Sequence, residues 1–270
     1  MKKNLIIVLL FTVFSLSATA QKDSSYKLIA VIKADVVDFT VDNLDNVYIL
    51  TSTDQLKKYN ANGDSVAIFN NVKKFGRVSA IDASNPLKVL LYYKDFSTVV
   101  VLDRLFSVRN IIDLRKQNIF QVNAIGQSYD NNIWLYDEND SKLKKISDEG
   151  KLLLETTDFR LLFGEAPHIK NIYDQDGFVY LYDPEQNVFV FDYYGALKNK
   201  ILIGGWQDFK VAGKFIFGIN NDTLHRYGIN TYRVDELKLP GPLQNSLKVN
   251  FTSDRVYALK KDLLEIYTLH

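Results

Sequence analysis

Short apolar runs alternate with polar turns along most of the chain, and the runs are too short to be helices. Val47-Tyr48-Ile49-Leu50, Leu56 to Tyr59 and Val66 to Phe69 follow one another, separated by Ser52 to Asp54 and by Asn62-Gly63-Asp64. Such runs, rich in Val, Ile, Tyr and Phe and bounded by Asn, Asp, Gly and Ser, predict strands joined by tight turns. The order then recurs. Val89 to Tyr92, Thr98 to Leu102 and Val108 to Asp113 form a second group. Asn132 to Tyr136, Lys142 to Ile146 and Leu152 to Leu154 form a third, and Phe178 to Tyr182, Val188 to Phe191 and Ile201 to Ile203 a fourth. Phe215 to Phe217, Leu224 to Tyr227 and Tyr232 to Leu237 form a fifth.

Each group follows a segment in which one residue, polar in all six, sits between two others: Val37-Asp38-Phe39, Val78-Ser79-Ala80, Val122-Asn123-Ala124, Lys170-Asn171-Ile172, Gln207-Asp208-Phe209 and Val249-Asn250-Phe251. The central residues lie 41, 44, 48, 37 and 42 residues apart, a period that marks a repeat architecture. Four short strands per repeat, six times over, predict an all-β, six-bladed β-propeller of four-stranded antiparallel blades. The last repeat supplies only three strands, Leu247 to Thr252, Val256 to Leu259 and Leu264 to Thr268. The spare run Lys27 to Ile32 is expected to complete it, so that the N-terminal strand closes the ring and covers two sheet edges. An open sandwich of hairpins explains the strands but neither the six-fold recurrence nor the missing strand.

Composition adds the compartment. Lys2 and Lys3, the apolar run Leu5 to Phe14 and the small residues Ala18-Thr19-Ala20 read as a signal peptide over residues 1–20, leaving 21–270 as a single propeller domain. The run is too short to span a bilayer, and no transmembrane anchor is expected elsewhere. Without Lys2 and Lys3, the 33 basic residues become 31 against 32 acidic ones. That balance gives no reason to expect nucleic-acid binding. With no cysteine, disulfides and thiolate metal sites are excluded, and a large core must supply the stability. An exported chain, in the periplasm, at the periplasmic face of the outer membrane or outside the cell, is expected.

Val41-Asp42-Asn43-Leu44-Asp45-Asn46-Val47-Tyr48-Ile49-Leu50, with Leu56 to Gly63, resembles an NHL-type or TolB-type repeat, and Asp174 to Gly195 resembles it too. The resemblance implies a six-bladed propeller, a fold shared by binding modules, lactonases and lyases. The signal peptide and the aromatic-rich, cysteine-free body are also similar to exported proteins of Bacteroidota.

The repeats align Asp38, Ser79, Asn123, Asn171, Asp208 and Asn250 at the mouth of the inner strands. Their oxygens suit calcium or magnesium, although side chains of this kind also bond backbone where strands begin. No other cofactor is expected. The connections entering the inner strands carry Lys73, Lys74, Arg77, Arg115, Lys116, Arg160 and His168, beside neighbouring turns bearing Asp54, Asp95, Asp137, Glu138, Asp140, Asp183, Glu185, Asp222 and Asp262. A basic collar inside an acidic rim would orient an anionic partner or a complementary protein surface; the plainer reading is solvation. Tyr92, Tyr93, Phe96, Phe163 and Trp206 are expected near the same face, and Trp134 in the core. Asp158 to His168, the longest inner connection and an apolar one, is expected either to plug the channel or dock on a partner, or to pack down on the blades.

No nucleophile elbow, phosphate loop, dinucleotide fingerprint or paired histidine spacing appears. The carboxylate pairs Asp174 with Asp176 and Asp137 with Asp140 fall in predicted turns. The sequence thus reads as a non-catalytic protein-binding module of the cell envelope, with a carbohydrate-binding or carbohydrate-cleaving propeller as the alternative.

Overall fold

The computed structural model describes residues 26–269, so the predicted signal segment 1–20 lies outside the described residues. β1 (Tyr26–Lys33) precedes the first blade, which consists of β2 (Asp38–Val41), β3 (Val47–Leu50), β4 (Leu56–Tyr59) and β5 (Ser65–Phe69). Blade two holds β6 (Ala80–Asn85), β7 (Lys88–Tyr93), β8 (Thr98–Asp103) and β9 (Val108–Asp113). Blade three holds β10 (Val122–Gln127), β11 (Ile133–Asp137), β12 (Lys142–Ile146) and β13 (Leu152–Glu155). Blade four holds β14 (Asn171–Gln175), β15 (Phe178–Tyr182), β16 (Val188–Asp192) and β17 (Leu197–Ile201), and blade five β18 (Gln207–Ala212), β19 (Phe215–Asn220), β20 (Thr223–Gly228) and β21 (Val234–Lys238). In blade six, β22 (Lys248–Phe251), β23 (Arg255–Lys260) and β24 (Leu263–Leu269) are completed by β1 on the outer edge. Ladder pairs from Tyr26 opposite Leu269 to Lys33 opposite Leu263 make that closure. The propeller is the predicted one, latched where the sequence predicts.

Six apolar clusters, each spanning two neighbouring blades, form the core among the described residues. Most second and third strands bury both faces, so runs such as Val99-Val100-Val101-Leu102 are apolar throughout rather than alternating. Polar clamps add to this packing. Lys88 reaches across to Asp148 at 2.6 Å and to the Asn131 carbonyl at 2.5 Å. Arg255, likewise on the second strand of its blade, bonds the Ala61 carbonyl and lies 3.3 Å from Asp45 in the first blade.

The turns between third and fourth strands repeat one device in the first four blades. Asn60, Asp103, Ser147 and Asp192 each accept from the amides two and four residues on. The fourth residue of each turn takes a positive φ: Gly63 at 87°, Phe106 at 67°, Gly150 at 88° and Gly195 at 83°. Three of the four are glycine because a Cβ is strained there. Phe106 tolerates the strain while burying its ring between blades one and two.

Blade four corrects the expected outer strand. It runs over Leu197–Ile201 rather than Ile201 to Ile203. The edge strand faces solvent and lacks an apolar alternation to reveal it, whereas Ile201 and Ile203 are anchors of the following connection, both buried between blades four and five. In blade five the outer strand begins at Val234 because Tyr232 lies in the turn at φ 58°.

Candidate functional site

The inner strands start on one face of the ring, here called the mouth, and the backbone register there revises the predicted polar ring. Val37, Ser79, Lys170 and Leu247 each donate an amide to the far end of the next strand, to Leu50, Tyr92, Tyr182 and Leu259. The residues that follow them, Asp38, Ala80, Asn171 and Lys248, pair with those same four. Ser79 therefore sits one place before Asp38 and Asn171, and Asn250 two places beyond. Asn123 lies in the bulge between Val122 and Ala124, and Asp208 lies in the bulge between Gln207 and Lys210 at φ 52°. The six are not equivalents: single-residue bulges displace Asn123 and Asp208, and Ser79 and Asn250 are offset along strands that have no bulge there.

All six nevertheless have partners near the inner strands. Asp38 takes a 2.6 Å ion pair from Lys248, and Ser79 and Asn123 accept from the Lys94 amide and ammonium at 3.1 and 3.2 Å. Asp208 accepts from the Val249 amide at 2.6 Å, and Asn250 from the Phe251 amide at 2.8 Å and Lys210 at 3.3 Å. Asn171 pairs through its backbone with Tyr182. Asp38, Ser79, Asn123, Asp208 and Asn250 thus accept from lysines or amides, and among the described residues no group of three or more acidic or histidine side chains converges to hold a metal.

Period-two alternation places further polar residues on the channel side that the sequence reading missed: Lys210 two after Asp208, Lys248 two before Asn250, and Tyr173 two after Asn171. Lys210 donates to the Phe251 carbonyl at 2.5 Å, and burial pushes its pKa down to about 8, with Asp45 opposing the shift. Burial raises the Asp208 carboxyl, partly offset by the Val249 amide and Lys248. Tyr173 donates to the Phe209 carbonyl at 2.6 Å, and its hydroxyl is raised by burial, then by Asp82 and Asp208.

Around the mouth, short helical turns carry the basic collar. α1 (Val72–Phe75) bears exposed Lys73 and Lys74, and α2 (Phe159–Phe163) bears Arg160. Arg115 and Arg160 fold back onto the capping carboxylates Asp113 and Asp158. Arg77 lies 3.6 Å from Asp54, His168 lies 4.0 Å from Glu138, and Lys116 is exposed. The rim loses two members: Asp137 is buried against Lys144, which also binds Asp140, and Asp183 is buried accepting the His168 amide at 2.8 Å. Two open cavities flank the channel, one of about 300 Å³ lined by Asn123, His168, Lys170 and Glu185, the other of about 210 Å³ at Gln207, Asp208 and Asp222.

Most of the five aromatics expected near the mouth are buried rather than presented to solvent. Tyr92 and Tyr93 end a strand buried on both sides, and Tyr93 packs on Phe75 at 5.2 Å. Trp206 is buried against His225, with its backbone held by the Tyr182 hydroxyl on both sides. Phe163 packs on Phe159 and Phe189; Phe96 alone of the five is exposed. Trp134 is in the core, as expected. In the Asp158 to His168 connection, Phe159 and Phe163 turn down onto the blades while Leu161 and Leu162 point outward.

No protein-family model matches the chain, and no curated protein does. Solved structures are similar to it in fold. Virginiamycin B lyase from Staphylococcus aureus superimposes with a TM-score of 0.65 at 13% identity, over 91% of this chain and 100% of that one. The Pan2 WD40 domain of Neurospora crassa gives 0.65 at 10% identity, over 90% and 95%, and the Cps50 (Swd1) propeller domain of Myceliophteria thermophila 0.59 at 8%, over 91% and 100%. What they share is the propeller. A lyase and a WD40 domain on one fold leave function to be argued from side chains. Among the described residues, no helix is long and apolar enough to cross a membrane.

Proposed function

We propose that the chain is a non-catalytic protein-binding propeller whose mouth face docks on a larger assembly of the cell envelope. The observation that carries this reading is a set of exposed apolar side chains on the connections entering the inner strands: Val37, Phe120, Leu161, Leu202 and Leu247. Leu161 is 80% exposed and Leu202 85%, although each neighbours residues that anchor its loop firmly. Large apolar side chains held out on a rigid face, with basic residues interspersed, mark interaction surfaces. Lys73, Lys74, Lys116 and Lys170 give that face its positive charge, so the partner surface is apolar with an acidic margin.

The amino-terminal Lys2, Lys3 and Leu5 to Phe14 segment supports export, with the partner in the periplasm, at the periplasmic face of the outer membrane or outside the cell. The NHL-type or TolB-type affiliation and the Bacteroidota-like character belong to the same reading and rest on the sequence. A glycan role loses its motivation at this face because Trp206 and Tyr93 are buried. The test is gentle extraction from the native envelope of the wild-type chain and of Leu161→Asp with Leu202→Asp. A stoichiometric partner retained by the first and lost by the second, at unchanged melting temperature, supports the proposal. A wild-type chain recovered alone refutes it.

A further inference from the structure

The face opposite the mouth carries the turns between first and second and between third and fourth strands, and at blades three and four these turns gather aromatic side chains. Asp174 organises them. Its Oδ2 accepts from Ser128 Oγ at 3.0 Å, the Tyr129 amide at 3.2 Å and Trp134 Nε1 at 3.0 Å, and its Oδ1 accepts from the Tyr193 hydroxyl at 2.6 Å. The Gly177 amide donates to the same hydroxyl at 3.2 Å, tying in the neighbouring turn. Fixed in this way, Tyr129 and Tyr193 stack with centroids 4.4 Å apart and planes at 12°.

The box already holds a cation. Lys145 Nζ lies 5.4, 4.9 and 5.9 Å from the ring centroids of Tyr129, Trp134 and Tyr193 and 2.6 Å from Asp130. That ammonium is internal, since its side chain is 9% exposed, whereas Tyr129 is 67% exposed, Tyr194 in the adjoining turn 89%, and Phe178 is exposed between them in sequence. Asp130, Asp174 and Asp176 lie at these turns against Lys145; the other nearby ammonium, Lys88 at the Asn131 carbonyl, is neutralised by Asp148 at 2.6 Å, and Lys198 by Asp192 at 2.9 Å. Open ring faces with surplus negative charge attract a cation, and a planar guanidinium gains stacking as well.

We propose that this surface, independent of the mouth, docks an arginine-bearing segment of a protein partner, one guanidinium lying on the open face of Tyr129 beside Asp130. The partner is thus basic here, in contrast to the acidic margin sought by the mouth. Calorimetric titration of the whole protein with a short arginine-rich peptide, its citrulline counterpart and a neutral oligosaccharide tests it. The arginine peptide should bind saturably and the citrulline peptide at least tenfold more weakly. Tyr129→Ala with Tyr194→Ala should weaken the arginine peptide at least tenfold while the chain stays folded, losing only the Tyr129–Tyr193 stack and the Lys145 contact with Tyr129, and Leu161→Asp should leave it unaltered. No saturable arginine binding, equal binding to the tyrosine variant, or oligosaccharide binding in its place would overturn the proposal.

Discussion

Lys248 Nζ lies 2.6 Å from Asp38 Oδ1, joining the inner strand of the last blade to that of the first. This ion pair is the polar part of a seam whose apolar part sets Tyr257, Leu264 and Ile266 with Phe39 and Ile49. Both charged side chains keep contact with solvent, so the pair contributes at most about 1 kcal/mol. Asp38→Ala should therefore lower the unfolding free energy by no more than that in urea denaturation. Ile266→Ala, at the same seam, leaves a buried cavity and should cost about 2–5 kcal/mol.

The seam also makes β1 indispensable. A chain starting after Lys33 loses the Ile32 anchor and bares the β24 edge, which invites pairing with other chains. Size-exclusion chromatography should show aggregates, and thermal unfolding should lose its cooperativity. A monomer with the wild-type melting temperature would contradict this.

Much of the wheel was legible in the sequence because its signals are local. Runs such as Lys142–Ile146 and Phe178–Tyr182 match to the residue, since turn-forming Asp, Asn and Gly flank them closely. The mouth was less legible, because the bulges at Asn123 and Asp208 depend on cross-strand pairing that spacing does not encode. Burial of the aromatics was not legible for a related reason: Tyr93 and Trp206 lie next to loops, yet neighbouring blades cover them. The Asp174 hub was invisible, as its donors come from residues 128, 129, 134 and 193 on three different turns and strands.

Asp208 should make its own mark on pH dependence. Burial raises its folded pKa, so the folded chain holds the proton more tightly than the unfolded one. Its stabilising contribution is present below the unfolded value of about 3.9 and is lost as pH rises through the folded value. Asp208→Asn keeps an acceptor for Val249 and suits the positive φ. The variant should melt above wild type near about pH 7, with the difference vanishing below about pH 4.

Lys210 has the opposite signature. Its folded pKa of about 8 lies below the ordinary 10.5, so between these values the unfolded chain binds more protons and stability rises with pH. Over that window wild type should gain up to about 3 kcal/mol relative to Lys210→Met, measured by chemical denaturation at successive pH values. Parallel curves for the two chains would show that the amine is not held in a desolvated place.

The mouth-face account is tested most directly by site-specific photo-crosslinking in the native envelope, with the crosslinker placed at position 161 or 202 on the mouth and at position 66 on the outer strand of blade one. The account predicts one discrete protein adduct from both mouth positions and none from position 66. Adducts from position 66 alone, or none from either mouth position, would contradict it.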